Sequence, residues 1–406
     1  MEEVEVPQFF ICPISLQIMK DPVTTISGIT YDRQSIEQWL LTADESVCPV
    51  TKQPLPRDSD LTPNHTLRRL IQGWCVANAK NGVDQIPTPK TPLDRHVVAK
   101  IIRDLKYPHL LSDSLRKMEA LASESEKNRK FLLESGVANS LISLIIACHD
   151  ANKTAGLEES LRILNLIWPT TGEINLLTDE NHGLIDSITW ILNCGSDFSL
   201  RSKATLLTKK IFKTASASSK GRLGADFVTG MVRMLRENSS ISTTKAALRV
   251  LIDLCQRGNN RFRMIEANVI FELIELGLGT PEKKITELTF RLLSQLCSCA
   301  DGRAQFLSHA GGIALVTKRI LRASAGTDDR AVHILSMLTK FAATNETLQE
   351  MLRVGAVSKL CMVLQADCSK FLKDKAREIL RMHSNVWNNS PCIQVYLLTR
   401  YPTLQF

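Results

Sequence analysis

From Leu93 onward apolar residues recur at i, i+3, i+4 and i+7, as in Leu248, Leu251, Ile252 and Cys255, with no strand-like alternation. That spacing predicts amphipathic helices. A small residue opens an apolar helix at Gly136, Gly183, Gly224, Asn268, Gly311 and Gly355, at intervals of 47, 41, 44, 43 and 44 residues. An apolar residue stands near the end of a longer helix at Leu121, Ile167, Ile211, Leu254, Leu296, Leu338 and Leu380, at intervals of 46, 44, 43, 42, 42 and 42. The two ladders interleave with one period. A third echo, Asn128-Arg129, Asn260-Arg261, Gly302-Arg303 and Thr347-Leu348, predicts a short helix ahead of the small residue. A unit of this length cannot bury its apolar face alone, so neighbours must stack into one continuous core. The pattern predicts six full repeats plus a last helix, Lys370 to His383, that closes the open end.

The first 80 residues follow another plan, and a segment with three prolines, residues 81–92, reads as a linker between the two parts. Two Cys-x-x-Cys pairs have each lost their second cysteine: Cys12-Pro13-Ile14-Ser15 and Cys48-Pro49-Val50-Thr51. The eight positions at which a zinc-binding RING finger places its ligands hold Cys12, Ser15, Ser27, Ile29, Asp32, Ser35, Cys48 and Thr51. A tetrahedral zinc site takes four nitrogen, sulfur or carboxylate donors. Two thiols and one carboxylate cannot furnish it, so no metal and no cofactor is expected.

Phe10-Ile11-Cys12-Pro13-Ile14-Ser15, Met19-Lys20-Asp21-Pro22-Val23, Gly28 to Arg33, Ile36 to Leu40, Cys48 to Thr51 and Pro63 to Arg68 follow in order without gaps. This stretch, residues 6–80, resembles the U-box, the metal-free relative of the RING finger found in ubiquitin ligases. The resemblance implies a small fold in which Ser15, Asp21, Asp32, Arg33 and Thr51 join the polar network that replaces zinc. It also implies that a ubiquitin-charged conjugating enzyme is gripped by Cys12, Pro13 and Ile14 in the first loop, Trp39 on the central helix and Pro49 in the second loop. Lys52 takes the place of a cation that contacts ubiquitin. No covalent ligase intermediate is implied and no catalytic residue is expected; Cys12, with no histidine near it in the motif, reads as a core residue rather than a nucleophile. Helix geometry places Ile36 and Leu40 toward the core and turns Trp39 outward; packing of Trp39 on the following helix, with its apolar face of Leu67, Leu70, Ile71 and Trp74, is the competing expectation.

The repeats, residues 93–406, resemble armadillo repeats, most closely at Glu266 to Ile270, Ala310 to Ile313 and Val354 to Val357. The fold class is therefore mostly α, a U-box followed by an armadillo-type α-solenoid, and the combination resembles plant U-box ubiquitin ligases, many of them responsive to stress or pathogens. Five residues before each apolar rung stand Arg116, Arg162, Leu206, Arg249, Arg291, His333 and Lys375. In armadillo repeats this part of the third helix lines the groove, so a row of cations there would suit an acidic or phosphorylated stretch of a substrate. Arginine stems covering apolar surface are the alternative.

Residues 1 to 80 carry 7 basic and 10 acidic side chains and the remainder 43 and 32, so the positive charge belongs to the repeats. A net charge of +8 with 5% aromatic residues gives no concentrated patch for nucleic acid. The eleven cysteines lack a disulfide framework, and the longest apolar run, Leu141 to Cys148, is too short for a bilayer. A soluble protein of the cytoplasm, and of the nucleus as a second location, is expected. The function expected is that of a ubiquitin ligase whose U-box recruits the conjugating enzyme and whose solenoid binds the substrate. The alternative is an inactive armadillo adaptor that uses its U-box to form homo-oligomers.

Overall fold

The computed structural model describes residues 6–42, 47–56, 59–79, 94–168, 183–194, 197–214, 223–256, 258–279, 282–388, 390–391 and 393–394. The chain divides into two units, Met1–Pro92 and Leu93–Phe406. The proposed linker lies outside the described residues.

In the first unit β1 (Pro22–Thr24) is the centre of a three-stranded antiparallel sheet between β2 (Thr30–Asp32) and β3 (Thr62–Pro63). The β1–β2 turn closes through the Gly28 amide on the Thr25 carbonyl, with Gly28 at φ +79°, a region where a side chain is strained. Helix α1 (Arg33–Thr42) follows β2, and α2 (His65–Ala77) starts at Asn64, whose side chain accepts from the Leu67 amide at 3.1 Å. Cys12, Val23, Tyr31, Ile36, Cys48, Leu55 and Ile71 are fully buried at the centre.

The second unit is helical throughout its described residues. Helices α3 (Arg95–Asp104) and α4 (Pro108–Glu124) precede the repeats. The first repeat is α5 (Glu126–Glu134), α6 (Val137–Asp150) and α7 (Leu157–Ile167). The second and third contribute α8 (Gly183–Asn193) with α9 (Phe198–Thr214), and α10 (Ala225–Glu237) with α11 (Ile241–Cys255). Three complete triplets follow: α12 (Gly258–Glu266), α13 (Val269–Leu278) and α14 (Lys283–Leu296); α15 (Ala300–Ser308), α16 (Gly312–Arg319) and α17 (Ala325–Phe341); α18 (Asn345–Arg353), α19 (Ala356–Gln365) and α20 (Lys370–Met382). Third helices pack on third helices and second on second, each against its neighbours in sequence, giving two layers with one continuous core between them.

The six small residues open the second helices as expected. Gly136, Asn268 and Gly355 do so in the left-handed conformation at φ 79°, 57° and 78°. The Asn-Arg echo has a cause the spacing alone did not give. The Asn128 and Asn260 side chains donate to the carbonyls of the rung residues Leu121 and Leu254, both at 3.2 Å. Arg129, Arg261 and Arg303 reach the next carbonyls, those of Ala122, Cys255 and Cys297. The short helices α5, α12 and α15 thus cap the C-terminus of the preceding long one, satisfying carbonyls that no intrahelical amide can reach.

One expectation is corrected. Lys370–Met382 packs on α17 and α19 as every third helix does, so it completes the sixth repeat rather than closing the array. The partial unit is at the other end, in α3 and α4. After α20 the short α21 (Ser384–Trp387) buries Trp387 completely and covers the last core surface.

Candidate functional site

The two loops of the first unit are built alike. In the first, the Cys12 amide donates to the Gln17 carbonyl at 2.8 Å and the Leu16 amide to the Cys12 carbonyl at 2.9 Å. In the second, the Cys48 amide donates to Gln53 at 2.8 Å and the Lys52 amide to Cys48 at 3.0 Å. Leu16 and Lys52, at matching positions, both sit in the left-handed region at φ 56° and 59°. Each loop wraps its thiol with the same pair of backbone hydrogen bonds.

Cys48 Sγ is contacted by Tyr31 Oη at 3.0 Å and Ser27 Oγ at 3.2 Å, and the Thr51 amide donates to it at 3.5 Å. Burial alone pushes this thiol up, but the hydrogen bonds from Ser27, Thr51 and Tyr31 outweigh it and draw the pKa down to about 6. Burial and the neighbouring thiol push the Tyr31 hydroxyl up in turn. Cys12 Sγ accepts from the Asp32 amide at 3.3 Å. Burial opposes ionisation there too, yet the amides of Ser15, Asp32 and Ile14 and the Ser15 hydroxyl lower the Cys12 pKa.

A separate ion-pair network holds the strands. Asp21 takes Arg33 Nε at 2.7 Å and Arg68 Nη1 at 2.9 Å, while Asp32 Oδ1 accepts from the Lys20 and Asp21 amides at 2.8 and 2.9 Å. Ser15, Asp21, Asp32, Arg33 and Thr51 all take part in these contacts, as does Ser27, another of the eight ligand positions. Tyr31 and Arg68 join them and were not anticipated. Among the described residues no cluster of three or more histidine, cysteine or acidic side chains could hold a metal ion.

These thiols make stability depend on pH. An acid whose pKa is depressed by folding contributes stability that is present above its unfolded value, near 9 for a thiol, and lost as pH falls through its folded value. Protection of the β1–β2 hairpin from amide exchange, corrected for intrinsic rates, should therefore rise between pH 6 and 9, by up to about 4 kcal/mol at roughly 1.4 kcal/mol per pKa unit. Cys48→Ser should flatten the rise, and excess chelator should leave protection unchanged at every pH. A flat wild-type profile would count against a thiolate acceptor.

The surface residues are placed differently from one another. Pro13 and Lys52 are exposed, and Ile14, Trp39 and Pro49 are half-buried, with Ile14 and Trp39 packed on the same small core. Two expectations are corrected. Cys12 is fully buried and offers nothing to a partner. Trp39 is not simply outward: its Nε1 donates to the Val47 carbonyl at 3.0 Å, tying α1 to the second loop. Trp39 shares its small core with Ile71, Leu67 and Trp74 of α2, and Trp74 meets Phe10 at 5.9 Å between ring centres. Leu70, expected on the apolar face of α2, is 56% exposed. Leu16 (77% exposed) and Val50 (51%) are apolar loop residues in the open that sequence reasoning passed over.

The cationic row on the third helices is not uniform. Arg162 is paired with Glu119 at 3.1 Å, and exposed Arg116 lies 3.8 Å from Asp113. His333 Nδ1 meets Lys375 Nζ at 3.5 Å, with burial and the lysine charge both lowering the histidine pKa, and Lys375 also lies over the Phe371 ring. Arg249 and Arg291 line a cavity between α9, α11 and α14.

Comparison with known proteins agrees with this architecture. A model of the U-box domain matches residues 6–80, and a model of the plant U-box protein ARM repeat region matches residues 97–403. The chain belongs to the plant U-box protein family. It is 42% identical to the E3 ubiquitin-protein ligases PUB24 and PUB23 of Arabidopsis thaliana, covering 98% and 99% of this chain and 96% and 98% of those proteins. It is 36% identical to PUB22 of the same plant, with 99% of both chains covered. An engineered protein of known crystal structure covers 77% of this chain and 75% of its own with a TM-score of 0.53 at 16% identity, a likeness of fold alone.

As a plant U-box protein alike over its whole length to named ligases, the chain is a U-box E3 ubiquitin transferase with an armadillo solenoid. The twin loops lie within its U-box, residues 6–80.

Proposed function

We propose that the U-box holds a ubiquitin-charged conjugating enzyme through Ile14, Trp39 and Pro49, with Pro13, Leu16, Val50 and Lys52 completing the contact, while the solenoid holds the protein whose lysine is modified. The observation that carries this reading is the pinning of both loops in one geometry, each around a buried thiol, with Trp39 bonded to the second. Exposed apolar side chains on rigid loops are the usual anchors of a transient interface, since little order is lost on binding. Rate comes from holding thioester and lysine together, a contribution of proximity that needs no nucleophile or base from the ligase. The thiol of Cys12 fits this, being a buried acceptor rather than a carrier of ubiquitin.

A self-ubiquitination assay of the full chain with a panel of conjugating enzymes tests the proposal. Chain formation with at least one of them is expected. Failure with all would favour the inactive adaptor.

A further inference from the structure

The cavity beside Arg249 and Arg291 has a volume of about 680 Å³. Lys209 and Lys210 of α9, with Lys213 near its end, bring three positive charges to it; Arg249 of α11 and Lys284 and Arg291 of α14 bring three more. Among the described residues Asp253 is the one carboxylate of its lining. Lys284 is engaged by Glu287 at 2.8 Å, and Lys210 donates to the Asn165 carbonyl. Lys209, Lys213, Arg249 and Arg291 make no ion pair with a described residue. Burial, and then repulsion from Arg249 and Lys213, lower the pKa of Lys209; burial and Lys209 do the same to Lys210. Among the described residues this surface gathers six like charges against one carboxylate.

Trp168, only 4% exposed, also lines the cavity. Ile252 and Leu288 supply apolar walls, which strengthen charge interactions by keeping water away.

We propose that this cavity receives a phosphate ester carried on an extended segment of the substrate protein. This deepens the substrate-holding role proposed for the solenoid and rests on it. A phosphate ester brings up to two charges and three acceptor oxygens, which match two guanidinium forks and two ammonium groups better than a single carboxylate does. The cations are spread over three successive third helices along the stack rather than gathered around a point, and Arg249 and Arg291 are 42 residues apart at equivalent places in adjacent repeats. That layout suits a ligand running along the stack.

The test uses the full chain immobilised and two pools of short degenerate peptides, one with a central phosphoserine and one with serine. The phosphoserine pool should be retained at least tenfold better. That ratio should fall close to one in Arg249→Glu/Arg291→Glu, whose solenoid should melt as wild type does; Arg249→Gln/Arg291→Gln, which removes charge without reversing it, should lie between. Equal retention of the two pools, or a preference that survives both double variants, would overturn the proposal. So would binding of inositol hexakisphosphate with no preference between the peptide pools, because the cavity would then serve a small polyphosphate. A lysate experiment separates the two levels. If other proteins are modified equally before and after phosphatase treatment, by wild type and variant alike, substrates are held elsewhere on the solenoid and only the phosphate proposal falls. If the chain modifies nothing but itself, the substrate-holding role falls with it.

Discussion

Ile14→Ala is expected to abolish chain formation while the U-box stays folded. Ile14 is half-buried, with part of its side chain on the small core and part at the surface, so truncation removes a partner contact at a modest cost in packing. An anchor of this kind contributes about 2 kcal/mol or more to a transient interface, roughly a thirtyfold loss of affinity. The structure changes what is expected of its neighbour. Trp39→Ala should lose activity and stability together, because it also removes the hydrogen bond to the Val47 carbonyl that ties α1 to the second loop. Trp39→Phe keeps a ring on the core and drops only that bond. Chain formation read beside amide protection of the β1–β2 hairpin distinguishes these cases. Wild-type ligation by Ile14→Ala would remove Ile14 from the surface.

The second large effect belongs to the solenoid. Gly302→Ala should destabilise the fifth repeat by about 3 kcal/mol or more, since the added Cβ would stand 2.0 Å from the Leu296 carbonyl oxygen, a backbone atom with nowhere to go. Gly302 occupies the place of Asn128 and Asn260, but its chain passes so close to the rung carbonyl that no side chain fits. Gly355→Ala provides the contrast. There the Cβ meets open space, and only the left-handed backbone at φ 78° costs anything, about 1 to 2 kcal/mol. Gly355→Asn should cost less, because Asn268 already occupies the equivalent turn at φ 57°. Thermal unfolding of the three variants checks the order, with amide exchange around α14 and α15 locating the loss. A Gly302→Ala protein as stable as wild type would show that the backbone there can shift.

Much of this architecture was legible because it is local. The period of helix openings and rung residues follows from covering one core again and again, and every interval needed to see it lies in the sequence. Ser15 and Thr51, which stand where a RING finger has cysteines, are likewise read directly from the sequence. What escaped was whatever depends on partners far along the chain. Arg68 joins Asp21 across 47 residues, and no periodicity marks such a pair. The cationic row looked uniform because a ladder samples one position per repeat, whereas Glu119, which neutralises Arg162, stands on the neighbouring long helix at another position. Trp39 was misjudged for the same reason: helical geometry fixes the side on which it emerges from α1, but not the loop carbonyl that meets it there.

The layering of third helix on third helix also carries a mechanical consequence. Since each repeat leans only on its sequence neighbours, a pulling force applied at the ends should meet a series of similar barriers rather than one. Each step would release about 42 residues, close to 140 Å of contour length at some 3.4 Å per residue. The repeats are not equally tethered, however. Arg201 with Glu237 at 2.7 Å and Arg236 with Glu272 at 2.6 Å clamp the middle of the array, both with a buried partner, while the last repeat is joined backward by the more open pair Lys340 and Glu378 at 2.8 Å. Extension should therefore start from the C-terminal end, leaving the clamped middle, where the cationic cavity lies, among the last parts to yield.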